Sequence, residues 1–377
     1  MTEVAIFRHQ LFKVSETFIT QQGEALRRYS PLYVGRTRFS APPSGACSVA
    51  LEDITSQRRL LSRIWQVSMR DIHPYLHLLK GHRPSLVHAH FGVDGVYALP
   101  LAKNIGVPLV TTFHGFDATS STSALLRSRT PSWINYVRFR NQLAREGALF
   151  LCVSKFIRQR VLELGFPADR TCLHYTGVDT EAFSPSENVM DSSTILHVAR
   201  LVEVKGTEYL IRAFATVAVR FSRAKLVIVG DGPLRPALET LSNGLGLRGK
   251  VQFIGAQTHD EVRVWMRNSA FLVLPSVLTR SGNAEGLGMV LLEAAASGIP
   301  IIGTSHGGIP EIVIDGVTGF LVPERHVHAL AERISILLDD KELRRRMGSK
   351  ARTMVEECFD IRRQTAVLET LYDGVLA

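Results

Sequence analysis

The residues best suited to chemistry gather around one glycine-punctuated phrase, Ser281-Gly-Asn-Ala-Glu-Gly-Leu-Gly-Met-Val-Leu-Leu-Glu-Ala-Ala-Ala-Ser-Gly-Ile-Pro300. Its two acids, Glu285 and Glu293, would lie ~12 Å apart along a helix axis at 1.5 Å per residue. That is too far for a carboxylate pair acting on one bond, where ~5–9 Å is usual. It fits two carboxylates gripping different parts of one long ligand. Glu285 taken alone could be a solvated loop acid. Glu293 sits among Leu291, Leu292, Ala294, Ala295 and Ala296, so its helix is apolar almost all round and the carboxylate needs a partner. Upstream, Arg200 and Lys205 can converge on one point and neutralise the charge that develops on a departing diphosphate, or they are two solvated surface cations. His114, followed by Gly115, presents an imidazole beside bare backbone.

The elements that must position these groups follow from periodicity and punctuation. Phe271 to Leu274, closed by Pro275, reads as a buried strand, and Met289 to Ala296 as a helix stopped by Gly298 and Pro300. The first turn of that helix leaves backbone N–H groups of Gly286, Leu287, Gly288 and Met289 for a phosphate or sugar hydroxyls. Ile195 to Arg200 is a strand and Lys205-Gly206 opens a helix. Strands and helices then alternate: Lys225–Val229, Pro233–Leu245, Val251–Ile254, His259–Asn268. The first half alternates in the same way, with strands at Val4–Phe7, Pro31–Gly35, Leu86–Gly92 (ending in a turn), Pro108–Asp117 (strand and loop), Ala148–Ser154 and Thr171–Tyr175. Helices are expected at Gln21–Arg28, Val93–Asn104 and Lys155–Leu164, the last capped by Ser154. Such alternation implies parallel, doubly wound sheets with right-handed crossovers. His114 then falls at a strand's carboxyl end, where open α/β sheets bind ligands. Arg36 to Ser56, rich in Pro, Ser and Gly, reads as an exposed loop, and Ser184 to Ser193 as an interdomain linker.

At 377 residues two domains are expected. No window approaches the ~18 apolar residues of a membrane-spanning helix, and Met1 to Phe7 lacks a secretory n-region. Cys47, Cys152, Cys172 and Cys358 have no C-x-x-C spacing, which fits the cytoplasm. His88 and His90 share one strand face but lack the further ligands of a metal site. Charge is uneven: residues 1–180 carry 22 Lys and Arg against 12 Asp and Glu, or +10, and residues 181–377 carry 22 against 23, or −1. The first half should therefore meet something anionic and large. No nucleic-acid-binding motif accompanies the charge. Arg58-Arg-Leu-Leu-Ser-Arg-Ile-Trp65 and Trp133 to Arg140 mix aromatic and basic residues, so an anionic membrane surface is the expected partner, the alternative being that these apolar faces pack into the domain and the arginines are solvated.

The phrase from Pro275 to Pro300, with Glu-Gly-Leu-Gly inside Glu285-(seven residues)-Glu293, resembles the retaining glycosyltransferases of family four. Phe113-His-Gly115, Val198-Ala-Arg-Leu-Val-Glu-Val-Lys-Gly206 and Thr176-Gly-Val-Asp179 match further family segments, Thr176 standing where relatives have Asn. The first strand-to-helix loop lacks the Gly-Gly pair of many relatives. Its Ser15-Glu-Thr-Phe-Ile19 resembles bacterial exopolysaccharide enzymes of the colanic acid and amylovoran type. The resemblance implies the GT-B architecture, two Rossmann-like domains facing a cleft: residues 1–183 on the acceptor side, 184–358 holding the nucleotide sugar, and 359–377 crossing back to the first. It implies transfer of a hexose from a nucleotide diphosphate sugar, UDP favoured over GDP, to a lipid-linked oligosaccharide on the inner face of the cell membrane. Arg200 and Lys205 would hold the diphosphate with amides of Gly286 to Met289, Glu293 the ribose, and Glu285 and His114 the hexose. No cofactor or metal is implied, and no Asp-x-Asp motif is present. A nucleotide-sugar epimerase or a non-catalytic polysaccharide-binding scaffold on the same plan are the rival readings, and the roles of Glu16, Ser15 and His306 stay open.

Overall fold

The computed structural model describes residues 1–43, 45–54, 65–186 and 192–377. They divide into two compact units, Met1–Gly177 with Ile361–Ala377, and Val178–Asp360.

The first unit is built on seven parallel strands: β1 (Thr2–Phe7), β2 (Tyr29–Gly35), β3 (Cys47–Ala50), β4 (Leu86–His90), β5 (Leu109–Phe113), β6 (Leu149–Cys152) and β7 (Thr171–Leu173). Their order in space is β3-β2-β1-β4-β5-β6-β7. Both β4 and β5 are buried at every residue, as continuous apolar runs covered on two faces should be. The chain winds outward from β1 to β3, then crosses to β4 and winds the other way. The reversal between β1 and β4 opens a crevice at their carboxyl ends. Helix α1 (Gly92–Ile105) packs on β4 and β5, and helix α2 (Pro131–Glu146) packs on α1.

The second unit repeats the plan with β8 (Thr194–Val198), β9 (Lys225–Val229), β10 (Val251–Gly255), β11 (Phe271–Leu274), β12 (Ile301–Thr304) and β13 (Gly319–Val322), all parallel. The order is β10-β9-β8-β11-β12-β13, so its reversal lies between β8 and β11. Helix α3 (Thr207–Arg220) seats Leu210, Ile211, Phe214 and Val217 in the core. Helix α4 (Met289–Ala296) has the bounds read from sequence and buries five of its eight residues. Helix α5 (Lys341–Cys358) crosses close to its end, where a Cβ on Gly348 would lie 1.9 Å from the Gly298 carbonyl oxygen. The fold is α/β with two doubly wound sheets.

The C-terminal helix, Ile361–Leu376, belongs to the first unit. Glu369 accepts from the backbone N–H groups of Arg27 and Arg28, both at 2.7 Å. Tyr372 is fully buried, with its hydroxyl 2.5 Å from His88 Nδ1. The unit boundary falls at Gly177 and not after Phe183. Phe183 packs its ring edge-on against His259, and Arg352 Nη1 donates to the carbonyls of Thr180 and Phe183, so these residues are part of the second unit.

Several local expectations are corrected. The stretch expected as a loop from Arg36 to Ser56 contains strand β3 and a turn at Leu51–Asp53. Arg38 ties it down through Glu52, Asp53 and Ser48, and side chain-to-backbone links of that kind have no period to read. The helix expected at Gln21–Arg28 runs instead over Thr17–Glu24, with Glu16 at its N-cap. Of the expected linker, residues 187–191 lie outside the described residues, while Ser184 accepts from Arg267 and Pro185 lies against Gly298. Arg58, Arg59, Leu60, Leu61, Arg63 and Ile64 also lie outside them. Trp133 to Arg140 is the start of α2, and its aromatic residues turn into the unit. Tyr136 is fully buried, Trp133 meets Phe116 edge-on at 5.2 Å, and the Arg70 guanidinium covers Phe139 at 4.2 Å.

Candidate active site

Each reversal point carries a charged cluster. In the second unit, β8 ends at Val198 and the chain turns through Arg200 into a short 3-10 turn, Glu203–Lys205. Gly206 then adopts a left-handed conformation (φ +62°), and a Cβ there would lie 1.9 Å from the Pro275 carbonyl oxygen. Only glycine allows this contact between the loops after β8 and β11. Val277 N donates to the Val204 carbonyl at 2.8 Å and fixes their register. The consequence is a direct ion pair: Lys205 Nζ lies 2.6 Å from Glu285 Oε2.

Glu285 is largely enclosed. Its Oε2 also accepts from the Ser276 hydroxyl at 3.0 Å. Burial alone would raise its pKa, but the charge of Lys205 and these donated hydrogen bonds hold it below the ordinary carboxylate range. The loop after β12 closes over the Glu285 backbone. A Cβ on Gly307 or Gly308 would lie within 2.2 Å of the carbonyl oxygens of Glu285 or Gly286, so the Gly-Gly pair is what lets the two loops touch. His306, left open by the sequence, pairs through Nδ1 with Glu324 at 2.8 Å, and its Nε2 accepts from Glu285 N at 3.4 Å.

Glu293, on α4, is half-buried, and its partner is His259 Nε2 at 3.2 Å. Leu287 is buried, so Gly286-Leu287-Gly288 can meet a ligand only through backbone. Gly288, left-handed at φ +87°, caps α4, and Met289 begins it. Arg200 is exposed at the end of β8, and among the described residues its guanidinium makes no ion pair or hydrogen bond. Thus Lys205 and Glu285 are brought together, Glu293 stands apart on its helix, and Arg200 is presented to solvent.

In the first unit, Arg8 and His9 follow β1 directly. The Arg8 guanidinium grips both oxygens of Glu16, at 2.8 and 2.9 Å, and Asp94 Oδ2 at 2.5 Å, and it lies 4.4 Å over the Phe91 ring. Asp94 is fully buried in α1. Burial would raise its pKa, but His9 and Arg8 hold it well below the ordinary range. His9 pairs with Asp94 through Nδ1 and accepts from Arg36 Nη2 at 2.7 Å, and burial pushes its pKa down to about 4, so it is neutral at pH 7. Phe91 takes φ +75°, a strained value for an aromatic residue at a strand's carboxyl end.

His114 lies among Phe18, Phe91 and His90, with ring centroids 4.9, 4.6 and 5.2 Å away. The Asp117 carboxylate accepts from the backbone N–H groups of Gly92, His114 and Gly115, at 2.8, 3.2 and 2.9 Å, and so locks the loops after β4 and β5 together. Burial holds His114 and His90 well below the ordinary imidazole pKa, with neighbouring histidines adding to it, so both are neutral.

Sequence reasoning missed Arg8, His9 and Asp94 here, and Ser276 and His259 in the second unit. Two signals could have found the first group. Arg8-His9 interrupts the chain directly after an apolar strand, and Asp94 stands in an otherwise apolar helix, the same pattern that marked Glu293. His259 is 34 residues from its partner, and nothing local announces the contact.

Among the described residues no three His, Cys, Asp or Glu side chains gather as a metal site. No helix among them is long and apolar enough to cross a membrane.

Two Rossmann-ordered units, with acids, cations and a glycine loop at their reversal points, define a GT-B glycosyltransferase. The family model described as "Glycosyltransferase Family 4" matches residues 18–182, and that of "Glycosyl transferases group 1" matches residues 178–354. The chain is 34% identical over 285 residues to the putative colanic acid biosynthesis glycosyltransferase WcaL of Escherichia coli, covering 74% of this chain and 68% of that one. It is 32% identical to the N-acetyl-alpha-D-glucosaminyl L-malate synthase of Bacillus anthracis, covering 77% and 75%. The Anabaena Alr3699/HepE structure with UDP and glucose shares the fold, with a TM-score of 0.79 at 20% identity over 99% of this chain and 100% of that one. The chain belongs to glycosyltransferase family 4.

The buried histidines make stability pH-dependent. Burial pushes His88 down to about 3 and His197 to about 4, against ~6.5 in an unfolded chain. Unfolded histidines therefore take up protons first as pH falls. Their contribution is complete above ~6.5 and is lost on acidification toward the folded values, at up to ~1.4 kcal/mol per histidine per pH unit. Thermal melts from pH 7 to pH 5 should show a steadily falling Tm, and a flat profile contradicts this assignment.

Proposed function

We propose that this glycosyltransferase moves a hexose from a UDP-sugar to a lipid-linked oligosaccharide in bacterial surface polysaccharide synthesis, with retention of anomeric configuration and without a bound metal. The observation that carries the proposal is the enclosed Lys205–Glu285 pair at 2.6 Å, beside the glycine loop that opens α4. An ammonium and an ionised carboxylate held together there are matched to the two parts of such a donor. Lys205 and the exposed Arg200 neutralise the diphosphate as the glycosidic bond breaks, and amides of Gly286 to Met289 assist. Glu285 accepts from hexose hydroxyls, and His114 is a sugar contact of the first unit. Glu293, oriented by His259, accepts from the ribose hydroxyls. The acceptor hydroxyl oxygen bonds to the anomeric carbon on the face from which the nucleoside diphosphate departs, and its proton passes to the departing phosphate oxygen. The relatives named for colanic acid biosynthesis support the pathway class, and the UDP and glucose bound to Alr3699/HepE support the donor.

The test is transfer of radiolabelled hexose from UDP-sugars to extracted bacterial lipid-linked oligosaccharides. Arg200→Ala and Lys205→Ala should each lower kcat by one to three decades, about the effect of removing one oxyanion donor. Glu293→Gln should mostly raise the donor KM, because a ribose contact is equal in ground and transition states. Wild-type turnover in both cation variants removes the phosphate assignment. An unchanged KM in the Glu293 variant makes that residue structural. Conversion of the donor with no acceptor present would favour an epimerase.

We further propose that the first unit docks on an anionic membrane, as a lipid-linked acceptor requires. The support is the +10 balance of residues 1–180 and the exposed Trp65 and Met69, which follow the basic segment 57–64. Each basic residue near an anionic leaflet is worth roughly 1 kcal/mol. Liposome sedimentation should require anionic lipid and weaken with salt and in an Arg58, Arg59, Arg63→Ser variant. Equal binding to neutral liposomes, or none to either, contradicts it.

A further inference from the structure

His90 is not accounted for by any of these roles. It ends β4, is 1% exposed, and among the described residues its ring hydrogen-bonds only to His114, with Nδ1 at 3.0 Å from His114 Nε2. Its other nitrogen, Nε2, is buried and makes no hydrogen bond among the described residues. The neighbouring His88 cannot relieve it. That ring stacks on His90 at 4.4 Å, but its own nitrogens are taken by the Tyr372 hydroxyl at 2.5 Å and the Thr112 hydroxyl at 2.7 Å.

One proton lies in the contact between His90 and His114, and two arrangements of it are open to neutral rings. If His114 Nε2 carried it, His90 Nδ1 would accept, and the neutral His90 would hold its own proton on Nε2. That N–H would be buried without an acceptor, a rare and costly state. If His90 Nδ1 carries it, the unmatched Nε2 is only an acceptor, which proteins tolerate more readily. His114 must then hold its proton on Nδ1.

We infer that His90 is a positioning residue that fixes His114 as the Nδ1–H tautomer, so that this half-buried imidazole offers a ligand a hydrogen-bond donor and never an acceptor. The group it meets is accordingly an oxygen lone pair, from a sugar hydroxyl, a carboxylate or a phosphate, and not a donating N–H. The inference refines the role proposed for His114, and rests on that reading only for the identity of the ligand. Asp117 and the rings of Phe18 and Phe91 hold the loop and the ring plane, while His90 sets which atom bears the proton.

The test is long-range 1H–15N correlation spectroscopy on the full chain labelled with 15N-histidine at pH 7, with the His114 signals identified by their loss in His114→Gln. Wild-type His114 should show a protonated-type Nδ1 and an unprotonated-type Nε2. His90→Asn, whose amide can still donate from about the same place, should keep that pattern. His90→Leu should let His114 move toward the Nε2–H form that free imidazoles prefer. A protonated-type Nε2 in the wild type overturns the inference even if both variants fail to fold, and so does an unchanged His114 pattern in a folded His90→Leu. Neither result bears on whether His114 meets a sugar. That reading stands or falls on whether His114→Gln loses UDP-glucose turnover.

Discussion

Enclosed charge must be matched, and the second unit is arranged around that constraint. Glu285 keeps its charge away from open solvent because Lys205 and Ser276 reach it, and they reach it because Gly206 lets the loop after β8 touch the backbone at Pro275. Removing one member of such an enclosed pair costs ~3–5 kcal/mol, because the other is left uncompensated. In the proposed function the pair is also the place where the donor sugar binds. A diphosphate can take the ammonium from Glu285 and a hexose hydroxyl can donate to the carboxylate, so both charges stay matched once a donor sugar enters.

The same constraint shapes the first unit in a different way. Arg8 is shared by Glu16 and Asp94, and Asp94 is shared in turn with His9. The network spans β1, the turn before the first helix, and α1, and it carries the guanidinium onto Phe91, whose ring lies against His114. In both units the matched charges stand where the strand order reverses, between β1 and β4 and between β8 and β11. That is where open parallel sheets leave a crevice. The fold supplies the place, and the charge pairing fixes which side chains hold still there.

Much of this was legible in the sequence because it is local. Strand β11 and helix α4 were bounded correctly by Pro275, Gly298 and Pro300, and the apolar neighbours of Glu293 announced that it needs a partner. The family resemblance reached the GT-B plan from the phrases around Glu285 and Lys205. What stayed hidden is non-local. The Lys205–Glu285 contact joins residues 80 positions apart, and Arg8–Asp94 joins residues 86 apart. Strand β3 hid in a stretch whose Pro and Gly content reads as loop, because what makes it a strand is its pairing with β2 and not its own period. The aromatic face at Trp133 to Arg140 looked like a surface for lipid, yet Phe116 and Arg70 cover it from elements a local pattern does not see.

The central claim is that Lys205, released from Glu285, holds a diphosphate. Calorimetric titration of UDP and of uridine into the wild type and into Lys205→Met tests it directly. UDP should bind the wild type, and its affinity should fall at least tenfold in the variant, a loss of ~1.4 kcal/mol or more. Uridine, lacking the diphosphate, should bind the two proteins equally. Equal UDP affinity in the two proteins would contradict the account.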